Sequence, residues 1–205
     1  PIMDGSAKAF VEAIKIAGVK EQNTIRKFIK ILKKVEIKEG SKHISIEPLE
    51  RNLKIDFELI YDNELIGSQR ESLNINEKNL ESIYNSRTFC LFEDIEKIKE
   101  AGLAKGGSLD NAIVVKGKKI LNKDGLRDKK EFVKHKILDC LGDFMLSEYR
   151  IFGLVKCVRG GHQLTNDLLK KLFLDNTNWK FVTYEKEDLK NQKNYSYTPP
   201  IAVNA

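Results

Sequence analysis

Strict alternation of apolar and polar residues constrains this chain more than any other feature. It appears in His43-Ile44-Ser45-Ile46-Glu47 and again in Lys54-Ile55-Asp56-Phe57-Glu58-Leu59. Successive side chains on an extended strand point to opposite faces, so each run makes one apolar face that another layer has to cover. Period-two patterning extends from Arg26 to Ile60, with Glu39-Gly40-Ser41-Lys42 as a hairpin turn, and predicts an antiparallel meander. The cover is helical. Asp128 to Leu146 is the strongest helix pattern in the chain, with Val133, Ile137, Leu141 and Phe144 as its apolar stripe.

The remaining elements follow the same logic. Ser6 is read as the N-cap of an opening helix whose Ala9, Phe10, Ala13, Ile14 and Ala17 recur at helical spacing before Gly18 stops it. Further helices are predicted over 77–84, Glu93 to Glu100 and Leu164 to Phe173, and strands over Arg87 to Leu91, Ala112 to Val115, Ile151 to Val158 and Lys180 to Tyr184. Strands followed by helices that return to strands define an α+β two-layer sandwich. A boundary at Lys20 to Thr24 sets off the opening helix, and Asn191 to Ala205, with Pro199-Pro200, reads as an aperiodic tail.

Composition excludes several classes. No apolar run approaches the roughly 20 residues of a membrane helix, which predicts a soluble protein with no transmembrane segment. The three cysteines, Cys90, Cys140 and Cys157, form no CxxC pair and point to a reducing, cytoplasmic setting. The net charge of +6 suggests nucleic acid at first sight. It comes, however, from lysines scattered among 30 acidic residues and not from one basic face, so nucleic acid is not expected as a partner.

The long helix also carries polar chemistry. His135 and Asp139 lie four residues apart and project from one face, a spacing that suits an imidazole and a carboxylate on one metal, and equally an exposed hydrogen-bonded pair. Asp143 extends the stripe and is either a solvated acid or a carboxylate that orients a histidine from elsewhere. His162 follows Gly160-Gly161 on a loop between strand and helix, where a side chain can be presented to a cleft. Lys136 and Arg159 stand near these groups, and His43 reads as a surface residue. Gly106-Gly107-Ser108 precedes a strand rather than a helix, so it is read as a tight turn and not as a phosphate loop.

Several extended segments carry a family resemblance. They are Pro1-Ile2-Met3-Asp4-Gly5-Ser6-Ala7, Ser86-Arg87-Thr88-Phe89, Gly106-Gly107-Ser108-Leu109-Asp110-Asn111-Ala112-Ile113-Val114-Val115, Leu121-Asn122-Lys123-Asp124-Gly125-Leu126-Arg127, Glu131-Phe132-Val133-Lys134-His135-Lys136-Ile137-Leu138-Asp139 and Gly161-His162. In that order they resemble the UDP-3-O-acyl-N-acetylglucosamine deacetylases of lipid A synthesis, zinc amidases of Gram-negative bacteria built from two similar α+β domains.

The resemblance implies a division of the chain. Residues 1–22 match the last helix of the first domain and 23–190 the second sandwich domain, with a βαβ insert at about 90–120 that holds the acyl chain; 191–205 are a tail. It also implies roles. His135 and Asp139 match two of three Zn2+ ligands, His162 the general acid, Asp143 its carboxylate partner, and Thr88 the hydroxyl that steadies the oxyanion. Lys136, Phe89 and Arg159 match substrate contacts, although many members carry Lys where Arg159 stands. Ile95, Ile98 and Leu103 fall in the insert and are expected to be core residues first.

The third ligand, a His, and the general base, a Glu, lie in the family upstream of the segment matching Pro1, and no Glu-His dipeptide occurs in this chain. The expectation is therefore a truncated enzyme, inactive alone, whose partners are UDP-3-O-acyl-N-acetylglucosamine and the missing N-terminal domain. The alternative is a non-catalytic remnant that binds a nucleotide sugar or lipid.

Overall fold

In the computed structural model, residues 3–20, 22 and 24–184 are described. The predicted tail over 191–205 lies outside them, as does the end of the 23–190 segment. In chain order the elements are α1 (Lys8–Ala17), β1 (Lys27–Ile31), β2 (Val35–Glu39), β3 (Lys42–Glu47), β4 (Leu53–Ile60), β5 (Ser68–Asn74), α2 (Glu77–Tyr84), β6 (Phe89–Leu91) and α3 (Ile95–Glu100). They continue with β7 (Ile113–Lys116), β8 (Lys119–Ile120), α4 (Glu131–Phe144), β9 (Arg150–Val158), α5 (His162–Leu174) and β10 (Trp179–Thr183). No helix among the described residues is long and apolar enough to cross a membrane.

The fold is α+β, and β9 is its axis. Its first residues, Arg150 to Phe152, pair in parallel with β1, and its second half lies between β3, antiparallel, and β4, parallel. The expected meander is therefore broken up: β2 and β3 do form the hairpin, but β9 enters from more than a hundred residues later and separates them from β1. Gly153 marks the residue where β9 passes from one partner to the next. A Cβ there would approach the side chains of Ile46 and Ile31 to 2.9 and 3.1 Å, so the absence of a side chain lets the isoleucines of both neighbouring strands close over it.

Alternation explains the layering. Along β4, Leu53, Ile55, Phe57 and Leu59 are buried while the residues between them are only partly covered. Helices α4 and α5 pack on this sheet, α4 against β4 and β5 and α5 against β2 and β3. The core joins Ile44, Ile46, Ile55 and Phe57 of the strands to Val133, Ile137 and Phe144 of α4 and Leu168 and Leu172 of α5. Strand β5 escapes the apolar pattern because it is an edge, paired to β4 alone.

Elements β6, α3 and β7 form a βαβ unit with parallel strands, extended by the short antiparallel β8. Here one expectation fails. α3 buries no side chain, and Leu103 after it is exposed, so Ile95, Ile98 and Leu103 are not core residues. Ile95 and Ile98 are only half-buried and stand outside the core cluster.

The opening helix is entered through a docked segment. Arg127 donates to Asp4 Oδ2 at 2.8 Å and to the Asn85 carbonyl at 3.0 Å, and Thr88 N–H donates to the Gly5 carbonyl at 2.7 Å. The N-cap is Ala7 and not Ser6, whose hydroxyl instead accepts from Lys8 N–H and donates to Asp4. Beyond that anchor, Phe10 and Ile14 of α1 are exposed.

Candidate functional site

Four residues recur every fourth position along α4: Glu131, His135, Asp139 and Asp143. That spacing stacks them on one side of the helix, turn above turn. The apolar residues between them hold that face in register against the sheet, which fixes where the polar stripe points.

His135 is buried, and its Nδ1 lies 3.0 Å from the Ser86 carbonyl oxygen. A carbonyl has no proton to give, so Nδ1 donates and the neutral ring carries its lone pair on Nε2. Burial pushes the imidazole pKa down, against the opposing pull of the Asp139 carboxylate, and so favours that neutral ring. Nε2 faces Asp139 Oδ1 at 3.3 Å. Two lone-pair-bearing atoms then confront each other with no proton to share, an arrangement that a cation between them relieves.

The pair fits a metal in dimension as well. Two ligands each about 2.0–2.1 Å from a tetrahedral zinc stand about 3.3–3.4 Å apart. Among the described residues no three His, Cys, Asp or Glu side chains come together around a metal position, so what is present is a pair of donors and not a complete set.

Around this pair lie the other candidates. Lys136 Nζ donates to Asp139 Oδ2 at 2.9 Å. His162 Nδ1 is 2.9 and 3.0 Å from the two Asp143 oxygens, and its Nε2 is 4.0 Å from Asp139 Oδ2. The contact sets Asp143 against a histidine of the following helix. His162 is not on a loop, as expected, but is the first residue of α5, with Gly161 in extended conformation as N-cap. Its side chain is 68% exposed, so the ring is anchored at one nitrogen and open to solvent elsewhere.

Phe89, at the start of β6, packs edge-on against Phe132 and His135, with ring centroids at 4.9 and 6.4 Å, and Lys136 Nζ lies 5.9 Å from its centroid. It forms an apolar wall beside the buried imidazole. Thr88 is exposed and two residues from Ser86, and its backbone is held on both sides by Gly5 and Ile113. Arg159, at φ +52°, lines a depression with Lys42, Lys136, Ser41 and Tyr61. Three cations around one depression make it a place where an anion is attracted. His43 pairs with Val158 across β3 and β9, and its Nε2 lies 3.2 Å from Glu36 Oε2.

Three residues at the site carry no role in the sequence reading: Ser86, Arg87 and Glu131. Glu131 is fully buried and accepts from Arg87 N–H at 3.0 Å, Arg87 Nε at 2.9 Å, Arg87 Nη2 at 3.1 Å and Arg127 N–H at 2.6 Å. Burial alone would raise its pKa, but these donors outweigh it and hold the carboxyl below its ordinary value. The signal was present in the spacing, since Glu131 stands four residues before His135.

Comparison with known proteins gives a consistent result. The family model for UDP-3-O-acyl N-acetylglycosamine deacetylase matches residues 1–174. A UDP-3-O-acyl-N-acetylglucosamine deacetylase of Pseudoalteromonas translucida (strain TAC 125) is 43% identical over 188 residues, covering 90% of this chain and 62% of that protein. One of Nautilia profundicola is 46% identical over 188 residues, 91% of this chain and 63% of its own length. One of Haemophilus influenzae (strain PittGG) is 39% identical over 206 aligned positions, 99% of this chain and 66% of its length. The chain spans a little under two thirds of these relatives.

Proposed function

Since the chain belongs to the UDP-3-O-acyl N-acetylglycosamine deacetylase family, we propose that it carries two metal ligands and the proton donor of a zinc-dependent deacetylase of lipid A synthesis. The substrate would be UDP-3-O-acyl-N-acetylglucosamine, and water would cleave its acetamide to acetate and the free sugar amine. The observation that carries the reading is the approach of His162, anchored on Asp143, to within 4.0 Å of the carboxylate paired with His135.

His135 Nε2 and Asp139 would hold the ion. The chemistry it supplies when bound is polarisation of the amide carbonyl and activation of water near neutral pH. Asp143 accepts from His162 Nδ1, which directs Nε2 toward the reacting centre. From there the ring can give its proton to the departing nitrogen, which otherwise leaves as an unstable amide anion. Thr88 offers a hydroxyl for the developing oxyanion. Lys136 and Arg159, with the depression they line, suit the diphosphate, and Phe89 screens the imidazole from water.

The remaining ligand and the general base are assigned to the part of the relatives' length that this chain does not span. The free thiols of Cys90, Cys140 and Cys157 suit a cytoplasmic setting. The test is acetate release from UDP-3-O-acyl-N-acetylglucosamine. The 205-residue chain alone is expected to be inactive, and a chain extended to the length of its relatives to be active only with zinc. Zinc-dependent turnover by the 205-residue chain alone overturns the assignment of the missing groups. Failure of the extended chain overturns the activity.

A further inference from the structure

The Ser86–Arg87 peptide is gripped at both ends by residues of one helix. Its carbonyl accepts from His135 Nδ1 at 3.0 Å, and its N–H donates to Glu131 Oε1 at 3.0 Å. Glu131 and His135 are one turn apart on α4, so helix, carboxylate, peptide and imidazole close a small ring of contacts. Arg87 then folds its guanidinium back onto the same carboxylate, through Nε and Nη2, and donates from Nη2 to the Gly125 carbonyl at 2.7 Å. A flip of this peptide would lose both of its buried hydrogen bonds, to His135 and to Glu131.

We infer that Glu131 is a positioning residue for His135, acting through the Ser86–Arg87 peptide. The inference rests on the reading of His135 as a metal ligand. A carboxylate that accepts a peptide N–H polarises that peptide and makes its carbonyl oxygen a stronger acceptor, because hydrogen bonds in series reinforce one another. The stronger acceptor holds the proton on Nδ1 of His135, fixes the plane of the ring and leaves Nε2 as the more basic, outward-facing atom. A carboxylate in direct contact with a ligating histidine does the same work. Here one peptide stands between the two, so the carboxylate stays on the ligand's own helix.

Nitrogen NMR of the 205-residue chain, labelled at histidine, reads the tautomer without metal, substrate or turnover. In the unmodified chain the neutral His135 ring is expected to be protonated on Nδ1. In Glu131→Gln, which keeps the shape and removes the charge, the ring is expected to become a mixture of tautomers. Zinc titrated into the same sample should then bind about 10- to 100-fold more weakly. Ile29→Val, in the buried interior of β1, perturbs packing alone and should move neither readout. Glu131→Gln with tautomer and zinc affinity unchanged overturns the inference. So does an unmodified ring protonated on Nε2, a result that is readable even if Glu131→Gln does not fold. A tautomer shift in Glu131→Gln sustains the positioning role even where the two donors of this chain hold zinc too weakly to titrate; absence of zinc binding by a chain of the relatives' full length is the result that counts against the metal reading instead.

Discussion

His162 Nδ1 meets the Asp143 carboxylate at 2.9 Å, joining the first residue of α5 to the last turn of α4. The contact leaves Nε2 as the only ring nitrogen free to act on a substrate. Asp143→Ala in an enzyme of the relatives' full length should lower kcat by about 100-fold, at the low end of what general acid catalysis contributes. KM should change little, and the thermal midpoint should fall only slightly, since the Asp143 side chain is 16% exposed and its partner His162 is 68% exposed. Steady-state kinetics beside a melting curve checks both. A loss confined to KM would assign the pair to binding.

The Glu131 carboxyl gives the fold an acid limit. Its pKa lies below the ordinary 4.5 in the folded chain, so folding favours the ionised form. The stability this supplies is complete above the unfolded value and is lost as pH falls through the lower folded value. Urea midpoints measured down the pH scale should therefore fall more steeply in the unmodified chain than in Glu131→Gln. Glu131→Ala, which strands the Arg87 guanidinium, should cost about 3–5 kcal/mol at neutral pH.

Gly5 tests the docking of the entry segment. Its φ is +81°, and a Cβ would come within 2.0 Å of the Asn111 carbonyl oxygen, a backbone atom that cannot swing aside. Gly5→Ala should cost more than the roughly 1–2 kcal/mol of the left-handed conformation alone. It should also loosen the Thr88 amide that Gly5 holds, seen as faster hydrogen exchange there. Gly18→Ala is the control. Its φ is +77° but a Cβ meets nothing within 4 Å, so only the conformational cost should appear.

The thiols make a fourth test. Burial pushes the Cys157 thiol up to about 12 and Cys140 well above its ordinary value. The thiolate is the reactive form, so neither should react with an alkylating reagent at neutral pH while the chain is folded. Labelling of both should track unfolding in denaturant. Fast labelling of Cys157 in the native chain would contradict the burial.

Much of the local structure was legible because it is periodic. The helix over 77–84 and the stripe of His135, Asp139 and Asp143 follow from a repeat that a single segment carries. Pairing is different. Nothing in the alternation of Ile44 or Ile55 says that its neighbour is Cys157 or Val155, because partners so far apart in sequence are chosen by the tertiary fold. Strand β5 was missed because Gln69, Glu71 and Ser72 are as polar as a solvated edge allows.

The site divides along the same line. The His135–Asp139 spacing is a property of α4 alone, whereas the Asp143–His162 contact exists only once α5 has packed beside it. His162 was placed on a loop because Gly161 caps α5 with extended backbone, leaving no side-chain signal for the helix start. Ser86 acts through its carbonyl, which every residue has, so its identity could not announce the role.

The central place of β9 has a consequence for how the chain reaches this state. Strands β1, β3 and β4 are made early but lack their shared neighbour until Arg150 to Val158 has been synthesised. Closing such long loops is entropically costly and comes late, so the topology is that of a slow folder with exposed strand edges along the way. His162 follows closely on β9, so the histidine proposed as proton donor arrives with the strand that joins β1, β3 and β4, before β10 is added beside β1. The meeting of His162 with Asp143 is thus tied in time to the joining of the central strands.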